Sequence, residues 1–181
     1  VARSERFPED IRFPRQFFEL NPAIFLSVGK SRRRFTFNLT SFPQMISLES
    51  LRSTLDASNP LALQAGNPDL KLQNNLSGST GFQFTDVKKA LSFSVRLNGS
   101  YTFNYIASRR TLFLEDTYLP QYDYTAQKGA QLTTQDNVGG NYSIGGSVSY
   151  SQQINPLRST VNASVNYGFD QTPYFTGDEL F

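Results

Sequence analysis

A two-residue alternation sustained over Leu91–Ser108, a composition rich in rings but poor in charge, and several further alternating runs joined by short polar turns together predict an all-β chain. The expected architecture is an antiparallel, up-and-down segment of a transmembrane β-barrel, with about seven or eight long hairpin-connected strands and an incomplete wall. In LSFSVRLNGSYTFNYIAS the odd positions are Leu91, Phe93, Val95, Leu97, Gly99, Tyr101, Phe103, Tyr105 and Ala107. The even positions carry Ser, Arg, Asn and Thr, with Ile106 the single exception. Successive side chains of a strand point to opposite faces, so the run sets an apolar face against a hydroxyl- and amide-bearing one. Globular strands usually hold about 3 to 10 residues, whereas a tilted membrane strand needs about 9 to 11 and can project beyond the bilayer. This run is too long for an ordinary sandwich strand.

The composition agrees. Hydrophobic residues are 38% and mean hydropathy is −0.40, yet 16 Phe and 9 Tyr bring aromatics to 14%. Charged residues make up 18%, below the roughly 25% of soluble domains, and Asn, Gln, Ser and Thr supply the remaining polarity. A wall that is apolar outside and hydrophilic inside needs that mixture. The absence of Cys and His excludes thiolate and imidazole metal sites, Ser-His-Asp triads and Cys-His dyads. A net charge of +2 gives no argument for nucleic acid, and Arg32, Arg33 and Arg34 read as a loop or strand-end cluster. No apolar run is long enough for a transmembrane helix. The amino end, VARSERFPEDIRFPRQFFEL, shows no signal-peptide pattern, so an exported form is expected to be an internal piece of a longer precursor.

Taken in order, residues 1–21 are charged and interrupted by Pro8 and Pro14, and a loop or edge segment is expected there. From residue 22 to 181 consecutive hairpins are expected. PAIFLSVG and RFTFNLTS alternate on either side of a basic turn. Phe42–Leu63 loses the alternation, and Ile46, Leu48, Leu51 and Leu55 suggest at most a helical turn or two before Asn59-Pro60. In Asn59–Lys71 two Asn-Pro steps flank Gly66, a backbone built to turn in a defined way. A long strand follows from Leu70, and TDVKK turns it back into Leu91–Ser108. Beyond Arg110, Tyr118, Tyr122 and Tyr124 surround Pro120, as an interfacial aromatic belt or as a loop mini-core. Two more alternating runs, Val138–Tyr150 and Val161–Phe169, are joined by QINPL, and FTGDELF reads as the start of another strand.

The run NPLALQAGNPDLKLQNNLSGSTGFQF resembles the C-terminal barrel half of TonB-dependent outer-membrane receptors, specifically the outer-membrane β-barrel family of SusC-like and related proteins. The resemblance is carried by Asn59, Pro60, Leu61, Gly66, Asn67, Pro68, Leu70 and Lys71, and by TTQDNVGGNYSIGGSVSYSQQI, which is similar to a family strand. It implies the Gram-negative outer membrane as location, outer-membrane lipid as surroundings, and uptake of a nutrient too large for porins. It also implies a plug domain and a TonB-type energy-coupling protein as partners, and it admits a surface lipoprotein. Barrels of that kind have about 22 strands, so the plug and the remaining strands are expected outside this chain.

Chemistry is sparse. Glu9 with Asp10, Glu115 with Asp116, and Asp178 with Glu179 sit in loops, and no two carboxylates are placed across a cleft, so no enzyme and no cofactor are expected. Glu115 and Asp116 are candidates for cation or substrate capture, though solvated loop charge is the simpler reading. The Asn-x-Ser/Thr triplets follow from the polar strand faces. Arg96, a charge in mid-strand on the even face, is expected to point into the lumen toward a plug or an anionic solute, or to form a wall salt bridge. The rival to the whole scheme is a soluble or cell-surface β-sandwich binding or adhesin module, with the apolar faces buried between two sheets.

Overall fold

The computed structural model of the chain describes residues 21–154, 156, 159–177 and 179–181. The segment expected over 1–21 lies outside the described residues except for Asn21, as do Glu9, Asp10, Asp178 and part of the turn at 153–157. Six strands form one antiparallel sheet: β1 (Ala23–Lys30), β2 (Arg33–Gln44), β5 (Gln73–Asp86), β6 (Leu91–Phe103), β11 (Asn141–Ile154) and β12 (Ser159–Gln171). They pair in that order, each with its neighbour, and the two edges, β1 and β12, are not joined to each other. Five of the six have 12 to 14 residues, enough to cross a bilayer at a tilt.

The register turns each strand's alternation into faces shared across the sheet. Phe35, Phe82, Val95, Val148 and Val165 form one continuous cross-strand row; Phe37, Thr80, Leu97, Gly146 and Tyr167 form the next. Toward the short turns lie Phe84, Phe93 and Tyr150, and toward the other end Leu76, Tyr101 and Tyr142. Two rows carrying Phe93 with Tyr150 and Tyr101 with Tyr142 thus flank an apolar band that itself holds Phe35, Phe37, Phe82 and Tyr167. They stand eight residues apart on β6, about 27 Å along the strand and about 20 Å of height at a 40° tilt, against roughly 25 Å for the apolar belt of membrane barrels. Among the described residues no second sheet covers this face: Leu97 is 55% exposed, and Val165 and Tyr167 are each 71% exposed. Soluble monomers rarely expose contiguous apolar patches beyond a few hundred Å², so the solvent that suits this face is lipid. The sandwich reading, which needs those rings packed between two layers, does not describe this sheet.

Connections divide by length between the two ends. The β1–β2 turn spans two residues and the β5–β6 and β11–β12 turns four each, all at one end. At the opposite end, residues 45–72 and 104–140 fold into an extension: β3 (Leu55–Asp56), β4 (Ala62–Ala65), β10 (Gln131–Val138) and β7 (Tyr105–Leu112) make a second sheet in that order. The pairing of β4 with β10 is parallel. Two small hairpins complete the extension, β8 (Thr117–Leu119) with β9 (Tyr124–Ala126) and β13 (Phe175–Thr176) with β14 (Glu179–Leu180). Residues 48–51 form hydrogen-bonded turns, with Leu51 N–H donating to Leu48 and Arg52 N–H to Glu49, and no helix.

The extension holds what globular core the described residues have: Leu63, Ala65, Phe113, Leu119, Ala126, Ala130 and Leu132, with Tyr122 and Tyr124 packed against it. Of the two readings of the tyrosine cluster, the loop mini-core therefore describes Tyr122 and Tyr124. Tyr118 stays outside and donates its hydroxyl to Asp123 Oδ1 at 2.8 Å. FTGDELF closes on itself as β13 and β14, with Tyr174 and Phe181 exchanging backbone hydrogen bonds and stacking at 5.9 Å.

Leu91–Ser108, expected as one strand, is two. Asn104 adopts φ 51°, ends β6 and sends β7 into the second sheet, while Gly140 at φ 88° makes the matching bend between β10 and β11. Ile106 breaks the alternation because it lies past this bend, where a different sheet sets the faces.

A charge tests the assignment of faces. Leu97→Arg, midway between the aromatic rows, should cost about 2 to 4 kcal/mol in denaturant unfolding from lipid vesicles, and Asn98→Arg, on the polar face, well under half of that.

Candidate functional site

The polar face of the six-stranded sheet is built from hydroxyls and amides that satisfy one another across strands. Thr40 and Ser77 hydroxyls lie 3.2 Å apart, those of Ser100 and Ser143 2.8 Å apart, and Asn75 Nδ2 donates to Thr102 Oγ1 at 3.0 Å. Neutral groups can bind water or solute there without the cost of burying ions. Arg96 stands on this face, directly opposite Gly81 on one side and Ser147 on the other. It is exposed, and its small neighbours leave a shallow depression of about 410 Å³ beside it. Phe25 and Phe42 are the large apolar exceptions on this face.

At the rim, the run Asn59–Lys71 fastens the wall to the extension. Asn59 Oδ1 accepts the Leu61 N–H at 3.1 Å, and its carbonyl accepts the Ala62 N–H at 3.0 Å, turning the chain at Pro60 into β4. Gly66 passes under residues 49–52, where an added Cβ would lie 2.5 to 2.7 Å from the carbonyl oxygens of Arg52, Glu49 and Ser50. Asn67 caps its own turn by accepting the Asp69 N–H at 2.9 Å, past Pro68. Its Nδ2 donates to the Gln135 carbonyl at 3.0 Å and to Asp136 Oδ1 at 3.1 Å. Leu70 is 1% exposed, and Leu72 is also buried. Lys71 contributes backbone: its N–H donates to Asn137 Oδ1 at 2.6 Å and its carbonyl accepts from Asn137 Nδ2 at 3.0 Å.

The structure brings five further residues to this junction that the sequence had not singled out. Asn137 Nδ2 also reaches the Asn104 carbonyl at 2.7 Å, and Asn104 Nδ2 donates to the Leu72 carbonyl at 3.2 Å, so two amides clamp the bend. Asp136 pairs with Arg109 at 3.0 Å, and the Arg109 guanidinium lies 4.4 Å from the Phe175 ring centre. The slip of alternation at Ile106 was the one sequence signal that could have drawn attention to Asn104.

Above the junction, Glu49, Arg52, Asp56, Gln64 and Gln135 line a second depression of about 570 Å³. Hydrogen bonds from Ser58 hold the Asp56 carboxyl below its ordinary range, with the Arg52 charge adding to them. Glu115 and Asp116 serve the tip of the extension: Asp116 Oδ1 accepts the Lys128 N–H at 2.7 Å and the Glu115 carbonyl accepts from the Thr117 hydroxyl at 3.0 Å. The Asp123 carboxylate, accepting from Tyr118, pushes that phenol up.

Long paired strands with one apolar and one hydrophilic face, short turns at one end and a folded extension at the other define the wall of a membrane β-barrel. The chain belongs to the outer membrane protein beta-barrel family, whose model matches residues 3–179, and its place is the outer membrane. No curated protein matches the sequence. In such barrels the short turns face the periplasm, which puts the extension on the cell exterior.

Gly66→Ala should lower stability by about 1 to 3 kcal/mol, because backbone carbonyls cannot step aside as side chains do. Asn137→Ala should cost about 1 to 3 kcal/mol, and amide hydrogen exchange should rise at Lys71 and Tyr105–Ser108 while β5 and β6 stay protected.

Proposed function

We propose that the chain forms part of the wall of a TonB-dependent-receptor-like barrel that takes up a nutrient across the outer membrane. The observation that carries this reading is the rim: the resembling run Asn59–Lys71 is the segment that ties the extension to the wall through Asn67 and Asn137. A wall that only had to span the membrane needs no such joint between its strands and a folded external structure. In the proposed cycle a solute is captured by the exterior extension, and a plug domain packs against the Ser/Thr/Asn face. A TonB-type energy-coupling protein acts on the plug from the periplasm, and the solute passes along the wall. A surface lipoprotein would meet the extension. The role is transport and not catalysis, and the residues invoked are the polar wall, Arg96 and the junction.

Cells lacking the parent gene should fail to grow on a nutrient too large for porins, and removing the energy-coupling protein should produce the same defect on the same nutrient. Unimpaired growth of the gene-deletion strain on every such nutrient, or a defect indifferent to energy coupling, contradicts the reading.

A further inference from the structure

We propose that Arg34 and Arg96 form an oxyanion site on the hydrophilic wall that takes the phosphate or carboxylate group of a small solute. This rests on the reading of that face as the lumen. Arg34 lies opposite Gln83, which lies opposite Ser94, and Arg96 occupies the next outward position of the same face on β6. Both arginines line the depression of about 410 Å³, whose other polar contributors are Thr36, Gln83, Ser94, Ser147 and Ser149, and among the described residues no carboxylate lines it. Among the described residues neither arginine takes part in an ion pair. By contrast, Arg32 on the adjacent turn has Asp86 at 3.8 Å, and Arg109 has Asp136.

Two guanidinium groups facing one depression repel each other, and that repulsion grows as the wall is screened from bulk water. A doubly charged oxyanion between them removes it and accepts paired N–H donors from each planar fork. The hydroxyls and the Gln83 amide then supply neutral donors, the usual complement of an anion site. Arg34 also lines the neighbouring depression at the short-turn end, with Lys30 and Arg33, so positive charge continues from mid-wall to the periplasmic rim. Asp170, on the same face, lines another depression that Arg96 also borders, together with Asn98 and Asn166.

The test uses the parent protein purified in detergent, titrated with inorganic phosphate and separately with citrate against chloride at equal ionic strength, with thermal unfolding as the readout. At least one oxyanion should stabilise the wild type. Arg34→Gln and Arg96→Gln should each weaken its apparent affinity by at least about tenfold. Arg34→Lys and Arg96→Lys, which keep the charge but lose the fork, should fall between, and Asp170→Asn should not weaken binding. Stabilisation by neither oxyanion, or an undiminished response in the Gln variants, overturns the site. Arg96→Cys in vesicles, in a background with no other cysteine, checks the lumen separately. Reaction with a water-soluble thiol reagent without an oxyanion effect defeats only the anion site, whereas protection by lipid defeats the lumen reading beneath it.

Discussion

Hydrocarbon offers no hydrogen-bond partner to a peptide group, and this constraint shapes the wall. Every backbone donor and acceptor at membrane depth must find its partner on a neighbouring strand, so a sheet is admitted only if its strands are long, fully paired and eventually closed. The ladders from β1 to β12 run without interruption between neighbouring strands, and the outer edges of β1 and β12 are not joined to each other. Once the backbone is satisfied in this way, side chains alone decide which solvent each face meets. The Phe, Val, Leu and Tyr rows suit lipid, and the Ser, Thr and Asn rows suit water. The short turns and the folded extension mark the two surfaces of the membrane.

The wall was legible in the sequence because a period of two requires no knowledge of tertiary contacts. Phe82 and Val95, or Ser77 and Ser100, declare their faces from their own strands, and the register merely lines them up. The extension was not legible for the opposite reason. Its strands β3 and β4 span two and four residues, too short to show a period, and β4 is paired in parallel with β10, which lies 66 or more residues further along the chain. Propensity near Ile46–Leu55 suggested a helical turn, but tertiary pairing there selected turns and strands.

The junction falls between these cases. The positions Asn59, Pro60, Gly66, Asn67 and Pro68 could be read as a shaped connection from Pro and Gly alone, and the structure shows what the shape serves. Gly66 admits three carbonyls, and Asn67 spans to β10. Asn104 was marked only by the slip of alternation at Ile106 and Asn137 by nothing, because each acts through backbone groups of residues far off in sequence. Arg96 was legible as a charge on a polar face, but its companion Arg34 was read as part of a basic turn. Only the β2–β5–β6 register puts the two on one side of the same sheet.

The claim that the ring-bearing face meets lipid is tested most directly by single-cysteine spin labelling along β6, from Ser92 to Phe103, with the protein in lipid vesicles. Collision with lipid-dissolved oxygen should peak at positions 93, 95, 97 and 101, and collision with a water-soluble nickel chelate at 94, 96, 98 and 100, in strict alternation. A profile in which the odd positions are shielded from both reagents, as in the interior of two packed sheets, would contradict it.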